Sequence, residues 1–261
     1  MIRAVIKQSP GRVARLMRAD NEFEFAGPAN FPVSARQILT MHVERRRMEL
    51  RGFRRNVAAK PKPGTKAGGA VPKPMDINCL YFDEPGAHNT EATLARAAER
   101  AAQLGPIRVL VASASGGTGV AALRHFSGRD LVVVTHSTGF AKPDYQELKP
   151  ENRRLLEQAG AAVLTAQHAF GGVGRAVRKK LGTYEIDEVI AFALRTFGQG
   201  AKVAIEIALM AADAGLARTG EPCISIGGTE RGADTALLLR PANAQTFFDL
   251  RVMEVLAKPR L

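Results

Sequence analysis

The stretch Val109-Leu-Val-Ala-Ser113-Ala-Ser115-Gly116-Gly117-Thr118-Gly119 decides the fold class. A run of Val and Leu stops in a Ser/Gly/Thr loop, and an Ala-rich helical pattern follows at once. Strand, loop and helix in that order place main-chain N–H groups at a helix start, where an anion is favoured. Three further apolar runs end in loops of similar chemistry. These are Thr135-His136-Ser137-Thr138-Gly139, His168-Ala-Phe-Gly171-Gly172-Val-Gly174-Arg175 and Gly227-Gly228-Thr229.

Outward from these loops the pattern alternates. Strands are expected at 79–82, 107–113, 131–135, 161–166, 223–226 and 235–240, with helices at 90–104, 117–126, 150–159, 172–181, 186–197 and 201–214. The run Leu131-Val-Val-Val-Thr135 shows no polar alternation, so it reads as buried on both faces. The helix 201–214 is apolar nearly all round and should lie deep in the fold. Asn89 or Thr90 is the expected cap of the first helix. Too few residues separate 223–226 from 235–240 for a crossover helix, so this pair should be antiparallel. The tail 247–259 reads as a short helix and then a strand. The expected class is α/β, a mostly parallel sheet with helices on both faces. Ligands of such sheets bind beyond the carboxyl ends of the strands.

Charge divides the chain. Of its 37 Lys and Arg, sixteen lie in residues 1–77 beside six acidic residues, a net of +10, while residues 78–261 net +2. The front segment is therefore an expected basic, low-order extension, with a helix at Ala35 to Arg47 and a Pro/Lys/Gly linker from Ala59 to Pro74. Three readings stay open for it. It is a basic arm for nucleic acid or acidic lipid, an Arg-rich targeting peptide (which its acidic residues oppose), or sequence upstream of a true start at Met75. Nucleic-acid binding is expected only through this arm, not through the domain. No charge-free apolar stretch is long enough to span a bilayer. Cys79 and Cys223 have no CxxC or metal spacing, which fits a reducing cytoplasm. The sequence leaves a homo-oligomer open.

Each candidate site residue has two readings. Ser113, Ser115, Gly116, Gly117 and Thr118 are either a phosphate cradle or a helix cap with a tight turn. Gly117-Thr-Gly119-Val-Ala-Ala122 also fits a dinucleotide fingerprint, but the next strand ends in Thr135 rather than an acidic residue, so NAD is discounted. His136 and His168 would contact a ring, donate to an anion or move protons; otherwise they are loop histidines. Arg175, after Gly171, Gly172 and Gly174, would pair with phosphate or belong to a solvated basic face with Arg178, Lys179 and Lys180. Lys202, Glu206 and Asp213 lie near one helix face, as a buried ion pair or as an acid–base set. Gly227, Gly228, Thr229, Asp234 and Thr235 would close the pocket or form a plain hairpin turn.

Several motifs together carry a resemblance. Tyr81-Phe-Asp-Glu-Pro-Gly86, Ser113-Ala-Ser-Gly-Gly-Thr118, Val134-Thr-His136, Gly171-Gly-Val-Gly-Arg175, Ala208-Leu-Met-Ala-Ala-Asp-Ala-Gly215 and Ile226-Gly-Gly-Thr229…Gly232-Ala-Asp-Thr235 occur in order. The chain from Cys79 to Arg260 resembles a stand-alone family with the fold of the pyruvate kinase C-terminal domain, often called pyruvate kinase α/β domain proteins. The resemblance implies that fold without pyruvate kinase activity, and a phosphorylated ligand held by a Thr/Ser-Gly loop such as Ser113–Thr118. It further implies flavin mononucleotide (FMN) as a candidate ligand. The expected function is a binding or sensing module, with a small flavin-dependent oxidoreductase as the alternative.

Overall fold

The computed structural model describes residues 14–18, 21–25 and 74–260. The chain divides into two units at Lys73/Pro74. In the first unit β1 (Ala14–Arg18) and β2 (Asn21–Phe25) pair antiparallel, Ala14 opposite Phe25 and Arg18 opposite Asn21. This hairpin was not read from the sequence, although Glu22-Phe23-Glu24-Phe25 carries the period-2 alternation of a strand. The expected helix at 35–47 and most of the linker lie outside the described residues.

The second unit runs β3 (Leu80–Phe82), α1 (Thr90–Leu104), β4 (Arg108–Ala112), α2 (Gly117–Leu123), β5 (Leu131–Thr135), α3 (Pro150–Gln158) and β6 (Ala162–Thr165). It continues through α4 (Val173–Leu181), α5 (Ile186–Arg195), α6 (Gln199–Asp213), β7 (Cys223–Gly227), β8 (Thr235–Arg240) and β9 (Arg251–Pro259). The seven strands form one sheet in the order β3-β9-β8-β7-β4-β5-β6. Only β8 runs against the others: it pairs antiparallel with β7 and β9, and the remaining pairs are parallel. The chain moves outward from β4 to β5 and β6, then returns through three helices to β7 on the other side of β4. That reversal is the switch point at which α/β sheets bind ligands.

Each buried strand feeds two cores, which is why its sequence shows no alternation. On one face Val109, Val111 and Val133 pack with Leu94, Ala97 and Leu156 of α1 and α3. On the other face Leu110, Val132 and Val134 meet Ala204, Ala208 and Ala211 of α6. Small residues let α6 lie close on the sheet, and twelve of its fifteen residues are buried, from Gly200 to Ala212.

The start of α1 corrects one expectation. The Asn89 side chain does not cap the helix; its Nδ2 donates to the Glu84 carbonyl at 2.8 Å. Thr90 Oγ1 donates to Ala87 O at 2.6 Å and accepts from Ala233 N at 3.0 Å, tying α1 to the β7–β8 turn. A half-buried fork joins α1 to β9: Arg100 Nε and Nη2 donate to the Glu254 carboxylate at 2.8 and 2.7 Å.

Helix α2 approaches β5 across Gly119, where a β-carbon would lie 2.8 Å from Val133 Cγ1 and 3.3 Å from Leu156 Cδ2. Gly119→Ala should therefore cost about 2 kcal/mol by overpacking. A lower urea midpoint at unchanged slope is the expected result; a midpoint equal to wild type would show that the core opens freely at this point.

Candidate functional site

All four polar loops lie at the carboxyl edge, because β4, β5, β6 and β7 are parallel. Their local chemistry separates them into two kinds.

Two loops are closed by the protein's own groups. After β4, Ser113 is buried and its Oγ accepts from Gly119 N at 3.0 Å, so this hydroxyl holds the turn. Gly116 has φ 88° and lies under α3; a β-carbon there would stand 2.6 Å from Asn152 Cβ and 2.7 Å from Leu148 Cδ1. The Ser115 carbonyl accepts from Lys149 N at 3.2 Å and Asn152 Nδ2 at 2.8 Å. Ser115 and Gly117 remain exposed and Thr118 half-buried.

The β7–β8 turn is tighter. Asp234 is fully buried, and its Oδ2 accepts from Gly86 N and Thr229 N, both at 3.1 Å. Thr235 Oγ1 donates to Asp234 Oδ1 at 2.8 Å. A β-carbon on Gly227 would lie 2.4 Å from Gly200 O, and one on Gly228 would lie 2.4 Å from Gly232 O. For Gly227, Gly228, Thr229, Asp234 and Thr235, read as closing a pocket or as a plain hairpin turn, the geometry is that of a self-held turn: Asp234 and Thr235 pair with each other, with Thr229 N and with the loop before α1.

The other two loops meet. Thr135, buried at the end of β5, shares a 2.7 Å hydrogen bond with Thr165 Oγ1 at the end of β6, so the residues that follow start side by side. The His136 and His168 rings are 5.2 Å apart. Phe140 lies against both, 4.1 Å from His136 and stacked on His168 at 4.7 Å with the planes 14° apart. The Arg175 guanidinium also lies over the Phe140 ring, its Cζ 4.8 Å from the centroid. His136 Nδ1 is 2.7 Å from Glu147 Oε2.

Behind His168 lies the buried pair expected on α6. Lys202 Nζ donates to Glu206 Oε2 at 2.5 Å, Glu206 Oε1 accepts from Phe170 N at 3.0 Å, and His168 Nδ1 stands 3.8 Å from Glu206 Oε2. Burial pulls the Glu206 carboxyl upward, but the His168 ring and the Lys202 ammonium outweigh it and hold the group at about 2. Asp213 has no part in this set; its Oδ1 accepts from Asn243 Nδ2 and Ala244 N. His168 Nε2 is buried with no hydrogen-bond partner among the described residues.

The Gly171–Gly174 loop admits side chains of the protein itself. Gly171 leaves room for the Arg175 guanidinium, and a β-carbon on Gly174 would lie 2.7 Å from both Asp187 carboxylate oxygens. A carboxylate of the chain thus lies against the first turn of α4, where the sequence suggested phosphate. Beside it, a cleft of about 180 Å³ is lined by Phe170, Arg175, Arg178, Glu188, Phe192 and Arg195. Sequence reading missed Phe140, Glu188 and Arg195. Phe140 was legible as an aromatic in a polar loop, whereas Glu188 and Arg195 look like surface charges of an amphipathic helix.

A larger cavity, about 350 Å³, opens at the opposite edge between Arg108, Asp130, Arg218 and Glu221, with Cys223 in its wall. Burial pushes the Cys223 thiol up to about 12, so it is no nucleophile. No helix among the described residues is long and apolar enough to cross a membrane.

No protein-family model matches this sequence. Among solved structures, the chain is similar to a pyruvate kinase from Cryptosporidium parvum, with 17% sequence identity and a TM-score of 0.32. The match covers 66% of this chain and 24% of that chain, so it spans about a quarter of the enzyme's length.

Proposed function

We propose that the protein is a ligand-binding or sensing module for a phosphorylated small molecule with a planar ring, with FMN as the candidate. The observation that carries this reading is the His136–Phe140–His168 cluster with Arg175 against it. Stacked rings offer a flat apolar surface to a second ring. The buried, unpartnered His168 Nε2 offers one polar contact at its edge. Arg175 supplies positive charge on the side of the adjoining cleft. The sequence resemblance to pyruvate kinase α/β domain proteins supports the same class of ligand. These residues fit a flavin whose ring lies on the cluster and whose phosphate lies toward the arginines.

Titration into FMN should give saturable quenching of its fluorescence, and Phe140→Ala should weaken binding about tenfold through loss of ring contact. No saturable quenching, together with no thermal stabilisation by FMN, would overturn the reading.

A second reading, a flavin-dependent oxidoreductase, draws on His168 alone. Its Nδ1 faces the Glu206 carboxylate while Nε2 has no partner, an orientation suited to holding or passing a proton. Consumption of a nicotinamide reductant that requires both protein and FMN, and that falls at least tenfold in His168→Ala, is the result expected of an enzyme. A sensor would show none.

A further inference from the structure

We infer that the cleft between α4 and α5 seats a phosphate monoester whose neighbouring carbon bears a hydroxyl, as in a polyol or sugar phosphate. The inference rests on the phosphorylated-ligand reading above and names where the phosphate lies and what must stand beside it.

Charge comes first. Arg175, Arg178 and Arg195 line the cleft against one carboxylate, Glu188. Arg178 donates its Nε to Glu188 Oε1 at 2.8 Å, and Arg195 donates its Nε to Gln199 Oε1 at 2.6 Å. Those bonds fix the two guanidinium planes. Among the described residues the η nitrogens of both make no hydrogen bond, and paired N–H groups of this kind match phosphate oxygens. The packing of Arg178 near the Tyr184 ring and of Arg195 near the Phe192 ring limits their movement further.

Size comes second. A volume of about 180 Å³ falls below the roughly 300–1,000 Å³ of pockets for drug-sized ligands, so the cleft takes a head group rather than a whole nucleotide.

Glu188 decides the class. Its side chain is only 9% exposed, and Oε2 is buried with no partner among the described residues. A buried acceptor without a donor is unfavourable, and a bare phosphate beside it would add repulsion. A hydroxyl on the ligand removes the first cost by donating to Oε2, while the repulsion is common to both ligands. An ammonium in the same place would face three guanidiniums. A hydroxyl-bearing phosphate therefore fits this cleft better than inorganic phosphate or an amino acid.

Isothermal titration of glycerol 3-phosphate and of inorganic phosphate tests this. Wild type should bind glycerol 3-phosphate saturably and about tenfold more tightly than phosphate. Arg195→Gln, which leaves the Arg178–Glu188 pair intact, should weaken both ligands about tenfold or more. Glu188→Gln should keep phosphate binding and lose the preference. Equal affinities in wild type, or wild-type affinities in Arg195→Gln with an unchanged melting curve, would overturn the assignment. FMN separates the two readings. FMN binding by wild type without any glycerol 3-phosphate binding removes the phosphate seat and leaves the ring surface. Preference for glycerol 3-phosphate without FMN binding does the opposite.

Discussion

Lys202→Met should be the most damaging single change in the domain, costing about 4 kcal/mol of unfolding free energy. Lys202 and Glu206 are both buried, and the ammonium donates directly to the carboxylate. Removing it leaves Glu206 as a buried anion whose remaining polar contacts are Phe170 N and the His168 ring. That is a large share of the roughly 5–15 kcal/mol that holds a domain folded. Urea or guanidinium unfolding measures it. The double variant Lys202→Met/Glu206→Gln should be more stable than Lys202→Met alone, because the amide is neutral and still accepts from Phe170 N. A double variant that simply sums two losses would show that the pair is not coupled.

The same pair sets an acid limit. Glu206 titrates near 2 in the fold against 4.5 ordinarily, so the folded state binds fewer protons than the unfolded chain between these values. Its contribution is complete above about pH 4.5 and is lost as pH falls toward 2. In Lys202→Met the carboxyl protonates more readily, so the gap between variant and wild type should narrow below pH 4.5. A gap that stays constant through acid would mean that Glu206 is not the group released.

Asp234→Ala is the second large effect, about 3 kcal/mol, because the N–H groups of Gly86 and Thr229 and the Thr235 hydroxyl lose one shared acceptor inside the protein. Asp234→Asn should be milder, since one amide oxygen can still take both N–H groups while Thr235 turns its hydroxyl to accept. The experiment also separates an anchor from a ligand contact. An anchor lowers the melting temperature with no ligand present, and a ligand contact leaves it unchanged while weakening binding.

These two residues show how far local pattern reaches. Lys202 and Glu206 stand four apart on an apolar helix, so their pairing follows from helix geometry alone, and the structure has it. Asp213 is seven residues further on the same helix, yet it meets the segment after β8, which helix periodicity does not describe. Asp234 sits in a Gly-rich turn, where a ligand contact and a structural anchor have the same sequence signature. Only the return of Gly86 to that turn distinguishes them.

The elements themselves were legible along the chain. Runs of Val and Leu without alternation announce strands covered on both faces, and the short β7–β8 connection requires an antiparallel pair. Such properties depend on neighbours in sequence, through backbone reach and side-chain period. The contents of the site do not. Pairing of β5 with β6 brings His136 beside His168, and two helices further along the chain supply Arg175, Glu188 and Arg195. Strand order and helix packing make those meetings, and they are settled by burial summed over the whole domain, which no local stretch of sequence contains.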